Sequence, residues 1–304
     1  MKATAFLLSL EQFVFTLLTF IGILFSGNVV NEHTFEAKNS DELIMSFSVV
    51  SDIHIETTNC PSYEKFIAML SGINGGKDNS ATVFLGDNVM NGQFLENLLF
   101  YQTVKKLCFD NTNLVVMGNH DIGNNQGEYA SYLKDFINFN KQINNDIQKP
   151  YYYRVINGIY FVFIAPEEMT NNYCIMSESQ LCWLESVLDE AKKRCAPIFV
   201  YNHFPLYSIN GVDRYALAEL LCRYDNLLYI YGHTHRELDK ERFQNIGGVN
   251  TIGLPKAQGE GYEGGVGIVI EVYENEIIVR ARNFINNKWI NDLEYIYPIK
   301  KIIP

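Results

Sequence analysis

From residue 44 onward, short apolar runs alternate with longer amphipathic stretches. The runs at 44–51, 81–85, 113–117, 159–165, 197–201 and 226–231 have strand length and are rich in Val, Ile, Phe and Tyr. Between them, 62–73, 92–107, 126–141, 178–194 and 213–223 carry apolar residues at helical spacing. Ser177 and Gln180 form the S-x-x-Q pattern of a capping box ahead of the fourth. From 248 the pattern turns to strands. Gly265–Val272 and Ile277–Asn283 read as a hairpin turning at Glu274-Asn275, and Trp289–Tyr297 adds a strand. Alternating β and α elements closed by a β-rich tail predict one layered α/β domain over 44–304. The glycine-rich stretch 259–265 is expected to be a mobile loop.

The first 43 residues break this pattern. Lys2 precedes an apolar stretch, and Gln12 to Asn31 carries no charge. A basic start followed by an apolar segment predicts a signal peptide or N-terminal membrane anchor over 1–30. Lys2 before it and the acidic Glu32 and Glu36 after it would leave the α/β domain outside the cytoplasm, secreted or membrane-anchored. Residues 31–43 are polar and are expected to be a linker. The first core strand begins near Leu43, so a chain starting near residue 40 is expected to fold.

Composition narrows the function. With 304 residues and 47% hydrophobic content, the chain can bury one large core. Its net charge of −11 disfavours nonspecific binding to nucleic acid. A phosphate-binding site on so acidic a protein must supply its positive charge locally. The six cysteines are scattered and form no C-x-x-C pair, so they are read as small buried hydrophobes.

The candidate chemistry lies at strand ends. Asp52-Ile-His54 follows the first strand, Gly86-Asp87-Asn88 the second, and Gly118-Asn119-His120-Asp121 the third. His203 follows the fifth strand and Gly232-His233-Thr-His235 the sixth. Carboxyl ends of strands in an α/β sheet line one crevice, so these five segments converge. Asp52 to Asp87 is 35 residues, Asp87 to Asn119 is 32, and His203 to His233 is 30, each about one β-α-β unit. In extended backbone, the D-x-H and H-x-H pairs place both side chains on one side. Imidazole with carboxylate, and no thiolate, suits divalent ions such as Mn²⁺, Fe²⁺ or Zn²⁺. A shared carboxylate suits two of them. No obvious side-chain nucleophile accompanies the motifs, which predicts direct attack by water. His33 is read as a surface residue.

These blocks, D-x-H, G-D, G-N-H-D, H and G-H-x-H in order, resemble the calcineurin-like metallophosphoesterase superfamily over roughly residues 44–240. The resemblance implies a four-layer α/β/β/α sandwich. It implies Asp52, His54 and His235 as ligands of one metal, and Asn119, His203 and His233 as ligands of the second, with Asp87 bridging. It implies His120 as the acid for the leaving group and Asp121 as its orienting partner. Met90 stands where the purple acid phosphatases have a metal-binding tyrosine. Asn88–Gly92 and Met117 lack the arginines of the serine/threonine phosphatases. With those branches set aside, the blocks resemble the class III cyclic-nucleotide phosphodiesterase group and its bacterial relatives. The implied reaction is hydrolysis of a small phosphomonoester or phosphodiester by a hydroxide bridging two divalent metals. The alternative is a binding scaffold that keeps the fold without turnover. Such scaffolds lose ligands, and every ligand position is filled here.

Overall fold

The six apolar runs become strands of two sheets, five of them inner and the third, at 113–117, an edge. The structure, a computed structural model, describes residues 34–108, 111–259 and 264–300. The apolar segment 1–30, residues 31–33 with His33, and 260–263 in the glycine-rich loop lie outside the described residues.

The first sheet begins with β1 (Met45–Val50), β2 (Asn79–Phe84) and β3 (Thr112–Val115), paired in parallel. The second contains β4 (Tyr152–Ile156), β5 (Ile159–Phe163), β7 (Ile198–Tyr201) and β9 (Leu227–Tyr231), with β5, β7 and β9 parallel. A short parallel pair, β6 (Cys174–Ile175) and β8 (Ile209–Asn210), ties two loops together. The crossovers are α1 (Pro61–Asn74), α2 (Phe94–Leu107), α3 (Tyr129–Gln142), α4 (Glu178–Lys193) and α5 (Ala216–Leu221).

The β-rich tail is divided between the sheets. Strands β10 (Phe243–Ile246) and β11 (Val249–Gly253) extend the second sheet from β9. Strand β12 (Val266–Val272) inserts beside β1, antiparallel, followed by β13 (Glu276–Asn283) and β14 (Lys288–Pro298). The sheet orders are β14-β13-β12-β1-β2-β3 and β10-β11-β9-β7-β5-β4. The hairpin turn and the last strand therefore match expectation, but β12 is a central strand of the first sheet.

Side-chain alternation explains the layers. Along β5, Ile159, Phe161 and Phe163 enter the core shared with the first sheet, while Tyr160 and Val162 join Leu184 and Leu188 of α4 in a second core. Phe47 of β1 meets Phe161 and Phe199 with ring centroids 4.8 and 5.1 Å apart. On the outer face of the first sheet, Phe84 packs against Phe66 of α1 and Phe100 of α2. The result is helix, sheet, sheet, helix. Strands covered on both faces read as continuous apolar runs, which is why the sequence exposed them so clearly.

Three expectations change. The described part of the expected linker is a strap. Phe35 bridges Gly76, Ala37 N donates to Asp78, and Lys38 N donates to the buried Glu271. The Phe35 ring sits edge-on to Trp289 at 5.5 Å, with the Arg282 guanidinium 4.2 Å above it. At α4 the Ser177 hydroxyl accepts from Gln180 N at 3.2 Å, as a cap does. The reciprocal bond comes from Glu167, which accepts Ser177 N at 2.7 Å, because Gln180 is drawn inward to bond both backbone groups of Ala165. Only Cys108 and Cys174 are buried among the cysteines, whereas Cys182 and Cys222 are exposed.

Candidate metal centre

The five polar segments meet where the carboxyl ends of the two sheets face each other. Their loops are laced by backbone bonds: Asp52 N to Gly86 O (3.1 Å), His54 N to Asp87 O (2.9 Å), and Gly232 N to His203 O (3.0 Å). The D-x-H and H-x-H pairs are not extended. Asp52, His54, Asp87, His233 and His235 have φ of 55°, 53°, 50°, 63° and 52°, in the left-handed region. Alternate left-handed residues, rather than strand pleating, turn the paired side chains inward. Two glycines permit the close approach of these loops. A Cβ on Gly118 would stand 2.2 Å from Asp87 Oδ1, and one on Gly232 2.0 Å from Ser51 Oγ.

Asp52, Asp87, His203 and Asn119 each have one polar atom held by the protein and another turned to the centre. Asp52 Oδ2 accepts from Ser51 Oγ (2.5 Å) and His233 N (3.1 Å), leaving Oδ1 at 3.1 Å from His235 Nε2 and 3.8 Å from the Nε2 atoms of His54 and His203. Asp87 Oδ1 accepts from His120 N at 2.8 Å, and its Oδ2 lies 3.0 Å from His203 Nε2 and 4.0 Å from His54 Nε2. His203 Nδ1 donates to the Leu85 carbonyl at 2.9 Å, which sets the tautomer and points Nε2 inward. Asn119 Nδ2 donates to Asn124 Oδ1 at 3.2 Å. Asp52 Oδ1, His203 Nε2 and Asn119 Oδ1 are thus buried with no hydrogen-bond partner. Buried polar atoms are normally satisfied, so this convergence is the signature of a cation site.

The donor atoms fall into two groups within 4.8 Å: Asp52, His54, Asp87 and His235, and then Asp87, His203 and His233. Asp87 is common to both. The electrostatics agree. Burial alone would lower the His203 pKa, but the Asp87 and Asp52 carboxylates outweigh it and push it up to about 10. Burial opposes ionisation of Asp87, yet His203 and His54 hold it down at about 2. His233 is lowered to about 4, first by burial and then by His203, so it stays a neutral imidazole. A buried pair of carboxylates that stays ionised and holds a proton on the neighbouring His203 this strongly attracts positive charge, which two divalent ions supply. The residues therefore fit a dimetal centre.

His120 and Asp121 part company. His120 Nδ1 donates to the Met90 carbonyl at 2.6 Å, and its ring lies edge-on to His54 at 4.6 Å. Asp121 does not orient it. Its carboxylate accepts from Gly118 N (2.8 Å), Asn88 N (3.0 Å), Val89 N (3.3 Å) and Asn88 Nδ2 (3.4 Å), which saturates it. Asp121 clamps the β2 and β3 loops, and a backbone carbonyl holds the histidine. Burial, then Asp87, raises the Asp121 pKa to about 7. Sequence reasoning also missed Ser51, a hydroxyl beside Asp52. It is fully buried and committed to Asp52 Oδ2, so it braces a candidate ligand. Its adjacency to Asp52 was the available signal. The carbonyls of Leu85 and Met90 have none, because every residue carries one.

Two sheets between helical layers, with aspartates and histidines gathered at their carboxyl ends, define a metal-dependent phosphoester hydrolase. The family model for calcineurin-like phosphoesterase matches residues 45–237, and the chain belongs to that family. Among solved structures, a dimetal phosphatase from Danio rerio is similar at 15% identity and TM-score 0.59, covering 85% of this chain and 100% of its own. A conserved protein of Streptococcus pneumoniae, described as a predicted phosphoesterase, aligns at 11% identity and TM-score 0.38 over 84% of this chain and 97% of its own. No curated protein matches the chain.

Proposed function

We propose that this chain hydrolyses a small phosphomonoester or phosphodiester at a two-metal site. Asp52, His54 and His235 hold one ion, Asn119, His203 and His233 the other, and Asp87 both. The observation that carries this reading is the pair of donor groups sharing Asp87. Divalent ions bound there supply charge that binds phosphate and acidity that makes water a nucleophile at neutral pH. The protein does the positioning. Ser51 and His233 N hold Asp52, His120 N holds Asp87, and Leu85 O holds His203. His120, its Nδ1 donating to Met90 O, would as an imidazolium present its Nε2–H to the departing oxygen and give that proton up. Ser51 is buried, so transfer goes directly to water without a phosphoenzyme. Residues 1–30 serve as a signal or anchor that places the domain outside the cytoplasm.

The test is metal content and turnover together. The reconstituted protein should hold two equivalents of Mn²⁺ and hydrolyse a chromogenic monoester or diester. Asp87→Asn should lower occupancy of both sites, more than any change at a ligand of one ion. Full activity with a single equivalent sinks the two-metal reading, and two equivalents without turnover on either ester favour a binding scaffold.

A further inference from the structure

Between His233 and His235 stands Thr234, a residue that neither candidate metal needs. Thr234 N donates to Gly232 O at 2.7 Å, closing a three-residue γ-turn around His233, whose φ is 63°. A γ-turn with positive φ at its centre is strained and persists only where its surroundings over-determine it. The upstream side is held by Gly232 N to His203 O and by His233 N to Asp52 Oδ2. On the downstream side, His235 Nε2 lies 3.1 Å from Asp52 Oδ1, and Arg242 Nη2 donates to Thr234 Oγ1 at 2.6 Å.

Arg242 is built in for this contact. It ends the 3₁₀ turn Lys240–Arg242, just before β10, whose partner β11 runs beside β9. That hairpin carries its side chain back to the end of β9, directly beneath the Gly232–His235 loop. It is 6% exposed, and no carboxylate among the described residues pairs with it. Its Nε donates to Gly253 O at 3.4 Å, and the guanidinium lies 5.3 Å from the Tyr231 ring centre. Gly253 makes the seat: a Cβ there would stand 2.2 Å from Nη2 and 2.6 Å from the guanidinium carbon. A buried cation that no carboxylate among the described residues pairs with is costly, and this one is held by a glycine seat, an aromatic face and the threonine hydroxyl.

We infer that Arg242 is a positioning residue for the metal centre: through Thr234 it holds His233 and His235 in the left-handed conformations that present their imidazoles to the two ions. This rests on the reading of those histidines as ligands. Groups that orient metal ligands this way affect affinity by about 10–100-fold.

Mn²⁺ titration of the full chain tests it. Thr234→Val removes the acceptor at constant shape, and Arg242→Met removes the donor. Gly253→Ala displaces the guanidinium without touching the loop. Each should weaken Mn²⁺ binding about tenfold or more. The Thr234→Val/Arg242→Met double variant should bind no more weakly than Arg242→Met alone, because both remove one interaction. A merely structural arginine would lower the unfolding midpoint of the metal-free protein and leave the Thr234→Val titration at wild type, which overturns the inference. If Arg242→Met fails to fold, Thr234→Val and Gly253→Ala decide it. His235→Ala, titrated alongside, should lose one equivalent. A wild-type response there overturns the ligand assignment and this inference with it. Loss in His235→Ala with an unchanged Thr234→Val overturns this inference alone.

Discussion

At the residue scale, the two carboxylates, His203 and Asn119 each divide their polar atoms between a protein contact and the centre. Backbone N–H groups take one oxygen of Asp52 and one of Asp87, and the other oxygen faces the imidazoles. Such fixing keeps the donors in place before any ion arrives, which lowers the reorganisation needed on binding. His120 shows the same economy, with its amide on Asp87 and its ring on Met90 O. Its chemical role has a clear signature. A proton donor matters most when the leaving group is a poor one. His120→Asn should therefore keep both metals, slow hydrolysis of alkyl esters by about 10²–10⁴, and slow nitrophenyl esters less. Equal losses on both would assign the histidine to stabilising phosphoryl charge instead. Loss of metal would make it a ligand.

At the element scale, the segment ahead of β1 has more structural weight than its polar composition suggests. Glu271 on β12 accepts from Lys38 N (3.0 Å), Tyr273 OH (2.8 Å) and Arg280 Nη1 (2.7 Å), so the strap is bonded to a central strand. Phe35 fills a socket formed by Trp289, Phe284 and Arg282. Replacing it by Ala should cost about 3–5 kcal/mol, seen as a lower urea midpoint with an unchanged slope. A chain starting at residue 34 should match the parent, while one starting at residue 40 should show at least the Phe35→Ala loss. An unchanged midpoint in both would return the strap to the status of a linker. The folded unit thus includes Phe35 and does not start at Leu43.

At the scale of the whole molecule, the candidate centre is a seam. Asp52, His54, Asp87 and Asn119 leave the first sheet, and His203, His233 and His235 leave the second. Each proposed ion takes donors from both, so metal binding fastens the sheets together at their carboxyl ends. Anything that binds the native state alone raises its stability, by about 2.7 kcal/mol at a ligand concentration one hundred times Kd. The unfolding midpoint should fall when Mn²⁺ is removed with a chelator and recover on its return. Asp87→Asn should have a midpoint that responds less to Mn²⁺. A midpoint indifferent to metal in the parent would mean that no ion binds the folded state in preference to the unfolded chain. No helix among the described residues is long and apolar enough to cross a membrane.

How much of this was legible in the chain depends on the range of the interactions. The inner strands, the helices and the chemical identity of the donors follow from local patterns, because a strand buried on both faces must be continuously apolar and a divalent site must be built from carboxylate and imidazole. The order D-x-H, G-D, G-N-H-D, H, G-H-x-H located the candidate site before any coordinates. What the tertiary structure alone decided lies in contacts between distant segments. It placed β12 in the first sheet and β11 in the second, and strapped Phe35 to Gly76. It gave the orientation of His120 to a carbonyl and that of Thr234 to Arg242. It also set the left-handed turns of the paired ligands, which D-x-H spacing had suggested were extended. Backbone carbonyls and φ angles are common to every residue type, so nothing in the letters marks which will be used. That choice is made only when the two sheets pack and bring their loops face to face.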